Sequence, residues 1–212
     1  MLRATPQFVR RTQTKDKPRW LDKEETGRLL EECPSHIYAL VATALNTGLR
    51  RAELFHLEWS DVDFTSESIT VRNKAEWHTK NYESRTIPMN SFLYGVLRKH
   101  PRRINSTFVF SNPEGKPWDN VRQSLSNAAE RAGIGHLGLH ALRHTFASQL
   151  VMAGVDLRTV QKWMGHKNIK TTMRYAHLAP SHERAAIEML NLSTNSAQPS
   201  FREKKSTQAV SA

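Results

Sequence analysis

Four short segments of the chain hold the side chains best suited to chemistry. Thr47-Gly48-Leu49-Arg50-Arg51-Ala52-Glu53-Leu54 sets Arg50 and Glu53 three residues apart, so on a helix they share a face and the carboxylate can orient the guanidinium. Taken alone, such a pair reads by default as a surface salt bridge of little worth. In His140-Ala141-Leu142-Arg143-His144 the same spacing joins His140 to Arg143, which together offer positive charge and hydrogen-bond donors. Gly165-His166 follows a segment containing Val160, Trp163 and Met164, and Tyr175 comes nine residues after His166, within Thr171-Thr172-Met173-Arg174-Tyr175-Ala176-His177. A tyrosine in a polar stretch more often packs than attacks. His140 and His144 also have the i,i+4 spacing of a helical zinc pair, with His136 nearby. Ala141 stands where a catalytic HExxH has its Glu, and a third strong ligand is lacking, so no metal site is expected.

Bringing these segments together requires a scaffold. Residues 1–20 are basic, contain Pro6 and Pro18, lack a sustained period and read as a linker-like leader. Asp22, with Glu25 three residues on, matches a capping box that opens a short helix with Leu29 and Leu30 on its apolar face. The pattern predicts a second helix from about Ser35 through Leu45, punctuated by Gly48, and a third segment over Leu49–Leu57. Ile69–Arg72 and Arg85–Pro88 read as strands joined by a polar connection with Lys74, Lys80 and Asn81. A helix over Ser91–Lys99 follows, then a short Thr107–Ser111 strand and an Asn-Pro-Glu-Gly turn. Helices are expected at about 121–132, 140–153, 156–164 and 181–190, and residues 191–212 read as a disordered tail. The expected fold is α+β and mostly helical, one domain over residues 21–190 with a small antiparallel β-sheet.

Bulk composition narrows the partner. Lys and Arg total 31 against 20 Asp and Glu, a formal charge of +11 that draws polyanions, nucleic acid first and an anionic membrane second. Cys33 is the one cysteine, which excludes an intrachain disulfide and a Cys-based zinc site. No stretch approaches the roughly 18 apolar residues of a membrane span, and Met1–Pro6 has no apolar signal core, so a cytoplasmic location is expected.

Taken in order, TGLRRAEL, HALRHTFAS and GHKNIKTTMRYAH resemble the tyrosine recombinase (phage integrase) family, over about Trp20–Leu190. Trp59-Ser60-Asp61-Val62-Asp63 and Arg85-Thr86-Ile87-Pro88 fit as lesser phrases. The resemblance implies that Arg50 and Arg143 clamp a scissile DNA phosphate, that His140 and His166 contact it, and that Tyr175 is the nucleophile. It places Lys80 at the mobile catalytic lysine, with Lys74 in the same connection as the alternative, and Glu53 at an acidic position supporting the first arginine.

The implied reaction suits these groups. Guanidiniums give planar, permanently charged contacts to the non-bridging oxygens. Lys80 can protonate the leaving 5′ oxygen, and His140 is the candidate acceptor for the phenolic proton. Attack by Tyr175 stores the broken bond as a 3′-phosphotyrosine ester, which a DNA hydroxyl reverses. Neither ATP nor a metal is expected, and the chain has no GxxxxGK[ST] loop. Family members usually carry a preceding helical DNA-binding domain, and this chain begins at what resembles the linker to it. The expectation is a site-specific recombinase or integrase acting on double-stranded DNA and self-associating on it through the Ser181–Leu190 segment. The alternative is a truncated, non-catalytic DNA-binding remnant that regulates a full-length recombinase. A type IB topoisomerase-like relaxing enzyme and a zinc-dependent hydrolase rank behind these two.

Overall fold

Asp22 opens the first helix as its pattern predicts. Its side chain accepts from the Glu25 N–H at 2.7 Å, and the Glu25 carboxylate returns to the Asp22 N–H at 3.2 Å. The computed structural model describes residues 19–74, 84–180 and Ile187. Lys80, most of the expected leader, the expected tail and the 181–190 helix apart from Ile187 lie outside the described residues. The chain divides into residues 1–180 and 181–212, and of the second unit only Ile187 is described, helical and exposed.

Within the first unit, α1 (Lys23–Glu32), α2 (Ser35–Thr47) and α3 (Arg51–Phe55) lead into a 3₁₀ turn at Trp59–Asp61. Strands β1 (Val62–Asp63), β2 (Ser68–Val71) and β3 (Arg85–Pro88) form an antiparallel sheet in the order β1-β2-β3, with Val62 opposite Ile69 and Ile69 opposite Ile87. Helices α4 (Ser91–Lys99), α5 (Arg122–Arg131), α6 (Leu139–Met152), α7 (Leu157–Met164) and α8 (Ile169–Met173) complete the described part, with a 3₁₀ turn at Ala176–Leu178. No helix among the described residues is long and apolar enough to cross a membrane.

The central helix is α2, which buries residues on nearly every face, the signature of a helix enclosed by others. It packs on α6 and α4. Thr43 and Thr47 are buried because their hydroxyls bond back to the Ala39 and Thr43 carbonyls at 2.8 and 2.6 Å. One large apolar cluster joins α1 to α5 with the sheet and the start of α6, including Leu29, Leu40, Ile69, Ile87, Leu125 and Leu142. A smaller one comprises Phe146, Ala147, Val151, Val160, Met164 and Tyr175.

One expectation is corrected, and two elements are added to those expected. Thr107–Ser111 forms no strand: single bridges pair Phe108 with Glu58 and Ser111 with Pro117, so no partner runs alongside for more than one residue. β1 was not expected, because two residues are too short to show alternation. Nor was α8, whose five residues cannot display a helical period.

Candidate active site

Construction of the site starts at two glycines that end helices. Gly48 closes α2 with φ +60, and a Cβ there would lie 2.4 Å from Phe146 Cδ1, so both the left-handed backbone and the close packing demand glycine. Gly165 closes α7 with φ +61, and a Cβ there would lie 2.9 Å from Arg85 Nη1. The carbonyls of the last turn of any helix lack intrahelical donors and form the negative end of its dipole. Three guanidiniums take three successive ones at the end of α7: Arg85 Nε bonds Trp163 O at 2.8 Å, Arg143 Nη2 bonds Met164 O at 2.5 Å, and Arg50 Nη2 bonds Gly165 O at 2.6 Å. Arg143 Nη1 also donates to the Gly48 carbonyl. A segment of local sequence thus gathers three arginines that the chain holds far apart.

Arg50 stands just before α3 rather than within it, in extended backbone with φ −69 and ψ 155. Glu53, in the first turn, reaches back: Oε2 accepts the Arg50 N–H at 2.8 Å and Oε1 accepts from Arg50 Nη1 at 2.8 Å. The expected pairing is present, but as a helix cap and not as two residues on one helical face. Nor does Glu53 sit at the surface, since it is 3% exposed and also receives Arg85 Nη1 at 3.0 Å and Nη2 at 2.5 Å. Burial pushes the Glu53 carboxyl up, but the bonds and charges of Arg85 and Arg50 outweigh it and hold it at about 2. Arg143 is buried, and desolvation with the neighbouring Arg50 pulls it down to about 9, which leaves it charged at neutral pH.

α6 carries His140, Arg143 and His144 within little more than one turn. His140 is exposed, and its ring meets that of His144 edge-on at 4.5 Å between centroids. The buried Tyr175 hydroxyl lies 2.5 Å from His144 Nδ1. Burial, then the charges of His140, Arg174 and Arg143, bring His144 down to about 4, so its ring is neutral at physiological pH and Nδ1 can accept the phenolic proton when Nε2 carries the hydrogen. Burial raises the pKa of Tyr175, partly offset by Arg174 and Arg143. His166 Nδ1 lies 3.0 Å from the Thr172 hydroxyl, and burial with the charges of Arg143 and Arg50 brings it down to about 4. His140, although exposed overall, is lowered too, by partial desolvation and then by Arg143, Arg174 and Arg50.

The structure therefore gathers Arg50, Glu53, His140, His166 and Tyr175 within electrostatic reach of Arg143. A cavity of about 380 Å³ opens beside them, lined by His140 and Arg143 with Arg51, Arg122 and His136. Lys80 falls outside the described residues. Lys74 is held elsewhere: its Nζ lies 3.0 Å from Glu58 Oε1, 2.7 Å from Asp61 Oδ2 and 2.7 Å from the His56 carbonyl. Among the described residues, no group of three or more His, Cys, Asp or Glu is placed to hold a metal ion. The sequence offers His140 as a candidate acceptor for the phenolic proton, whereas the hydroxyl meets His144, one helical turn on, whose i,i+4 spacing from His140 is its one signal in the sequence. Arg85 and Arg174 have no signal there beyond a place in a lesser phrase and a seat next to the tyrosine.

The fold that carries these groups coincides with a known one. The chain belongs to the phage integrase family, whose model matches residues 19–182. It is 34% identical to the integrase of Salmonella phage P22 over 180 residues, which is 77% of this chain and 45% of that protein. The fold is that of the catalytic domain of bacteriophage HP1 integrase, at TM-score 0.64 and 33% identity over 85% of this chain and 99% of that one. The Tn1549 transposon integrase, solved in complex with circular intermediate DNA, is similar at TM-score 0.66 and 27% identity over 84% of this chain and 68% of that one. The chain spans about half the length of the curated phage relatives it matches.

Proposed function

We propose that this chain is the catalytic part of a site-specific recombinase, which cleaves and rejoins double-stranded DNA through a 3′-phosphotyrosine ester on Tyr175, without ATP or a metal. The observation that carries the reading is the convergence of Arg50 and Arg143 on the end of α7, with Tyr175 hydrogen-bonded to a neutral imidazole on the same helix as Arg143. In this reading Arg50, Arg143, His140 and His166 bind the non-bridging oxygens as charge builds on them, the term that usually dominates such catalysis. Tyr175 Oη attacks phosphorus, and its proton passes to His144 Nδ1, which the geometry favours over His140. The P–O5′ bond breaks, and Lys80 protonates the leaving oxygen; the commitment of Lys74 to Glu58 and Asp61 supports that choice between the two lysines. Rejoining runs the same steps backward, with a DNA 5′-hydroxyl as the nucleophile.

The basic charge, the cationic rim of the cavity and the DNA in the Tn1549 integrase structure support duplex DNA as partner. A cytoplasmic location, a leader over 1–20, a catalytic domain over 21–190, a tail over 191–212 and self-association through Ser181–Leu190 belong to the same proposal. Light scattering of DNA complexes before and after deletion from Pro180 tests the last of these, and an unchanged mass counts against it. The central experiment incubates the chain with a pool of nicked suicide duplexes and resolves the products on a denaturing gel. A covalent protein–DNA band that Tyr175→Phe removes is expected. DNA binding with no band in any duplex would instead mark a non-catalytic remnant, and a band surviving the substitution would put the nucleophile elsewhere.

A further inference from the structure

Arg85 lies outside the set of groups that would touch DNA, yet among the described residues it is a heavily engaged, buried cation. It is 8% exposed, on β3, a strand that alternates buried and exposed residues and whose other buried position is Ile87. All three of its nitrogens are in use: Nη1 and Nη2 form a two-pronged contact to Glu53, and Nε holds Trp163 O. A buried carboxylate needs compensating charge, and Glu53 has two guanidiniums to supply it. Arg50 gives that carboxylate one side-chain bond and gives Gly165 O another, so among the described contacts three of its five N–H groups stay uncommitted.

We infer that Arg85 is a positioning residue: it neutralises Glu53 from the buried side, so that Glu53 orients Arg50 without consuming the charge and N–H groups that Arg50 presents to a phosphate. The three side chains together carry one net positive charge. With Arg85 removed, Glu53 stays buried with Arg50 as its one remaining guanidinium, and the pair becomes neutral. A bare structural brace would make a different prediction, because its loss would not be relieved by removing the carboxylate.

The inference rests on the reading of Arg50 as a phosphate ligand, and the two are separable with inorganic phosphate as the probe. The dissociation constant is read from the guanidinium Nε–H resonances of the full chain, with circular dichroism confirming the fold of each variant. Phosphate binding that wild type shows and Arg50→Met loses supports the underlying reading; no binding by wild type, or equal binding by Arg50→Met, overturns both. Given that binding, Arg85→Met is expected to weaken it at least about tenfold, Arg85→Lys less, since the charge remains while the fork is lost. The double variant Glu53→Gln with Arg85→Met is expected to bind at least about fivefold more tightly than Arg85→Met alone, a coupling within the range that contacting residues show. Undiminished affinity in Arg85→Met, or a folded double variant as weak as the single one, overturns the role. Should Arg85→Met fail to fold, the double variant and Arg85→Lys decide: the role stands if the folded double variant binds within about tenfold of wild type, and falls if it binds no phosphate.

Discussion

The two halves of the site are built differently. On the arginine side, Arg50, Arg85 and Arg143 are tied to backbone carbonyls at the end of α7, Arg50 and Arg85 also to a buried carboxylate and Arg143 also to the carbonyl ending α2. On the side of the proposed nucleophile, Tyr175 belongs to the smaller apolar cluster and holds its hydroxyl by one bond to His144. The first arrangement resists displacement because moving Arg143 strands two carbonyls of buried residues, each costing about 1–3 kcal/mol, and moving Arg85 strands a buried carboxylate's fork. The second is held by burial of the ring and by a single hydrogen bond at the hydroxyl. A phosphate clamp gains from being preorganised, whereas a nucleophile that must be joined to DNA and later freed gains from lighter restraint.

Substitutions on each side should separate these properties. Arg143→Ala is expected to have the largest effect: covalent adduct formation falls by about 10²–10³, as for other lost transition-state donors, and urea denaturation shows a stability loss as well, because Gly48 O and Met164 O are left bare. An Arg143→Ala protein as stable as wild type would contradict the view of this side as structurally tied.

Acid should loosen the arginine side in a defined window. Glu53 sits at about 2 when folded and near 4.5 when unperturbed, so its contribution is complete above pH 4.5 and drains away as pH falls toward 2. That difference corresponds to about 3 kcal/mol. Glu53→Gln should flatten the stability profile between those limits, and an unchanged slope would show that the carboxylate is not held as described. His144 and His166, lowered from 6.5 to about 4, act at higher pH: the folded state favours their neutral rings, so their contribution is present above pH 6.5 and lost as pH falls through 4.

On the nucleophile side, His144→Ala should slow adduct formation by about 10²-fold, the low end for a lost proton acceptor. His140→Ala should leave the Tyr175 restraint intact, and a ring-sensitive probe such as the tyrosine absorbance spectrum distinguishes the two. Equal perturbation of the Tyr175 spectrum by both substitutions would remove His144 from its assigned place. Tyr175→Phe should be the mildest for folding, at about 1 kcal/mol for one hydrogen bond, although under the proposed mechanism it should abolish the adduct. A several-fold larger stability loss would mean that the nucleophile is as firmly built in as the arginines.

Much of the fold could be read from pattern. The Asp22–Glu25 box, the Ser91–Lys99 helix and the Arg85–Pro88 strand were legible because caps and periodicity are local properties. β1 and α8 were not, because they are too short to show a period and exist only through packing.

By itself, the sequence determined which chemical groups were available, their order, and the glycines at 48 and 165 that let two helices stop where they do. Tertiary structure decided which imidazole meets the phenol and why Arg85 is needed at all. Both depend on contacts between residues 31 and 32 positions apart, and on a desolvated carboxylate whose demand for a second cation no linear spacing displays.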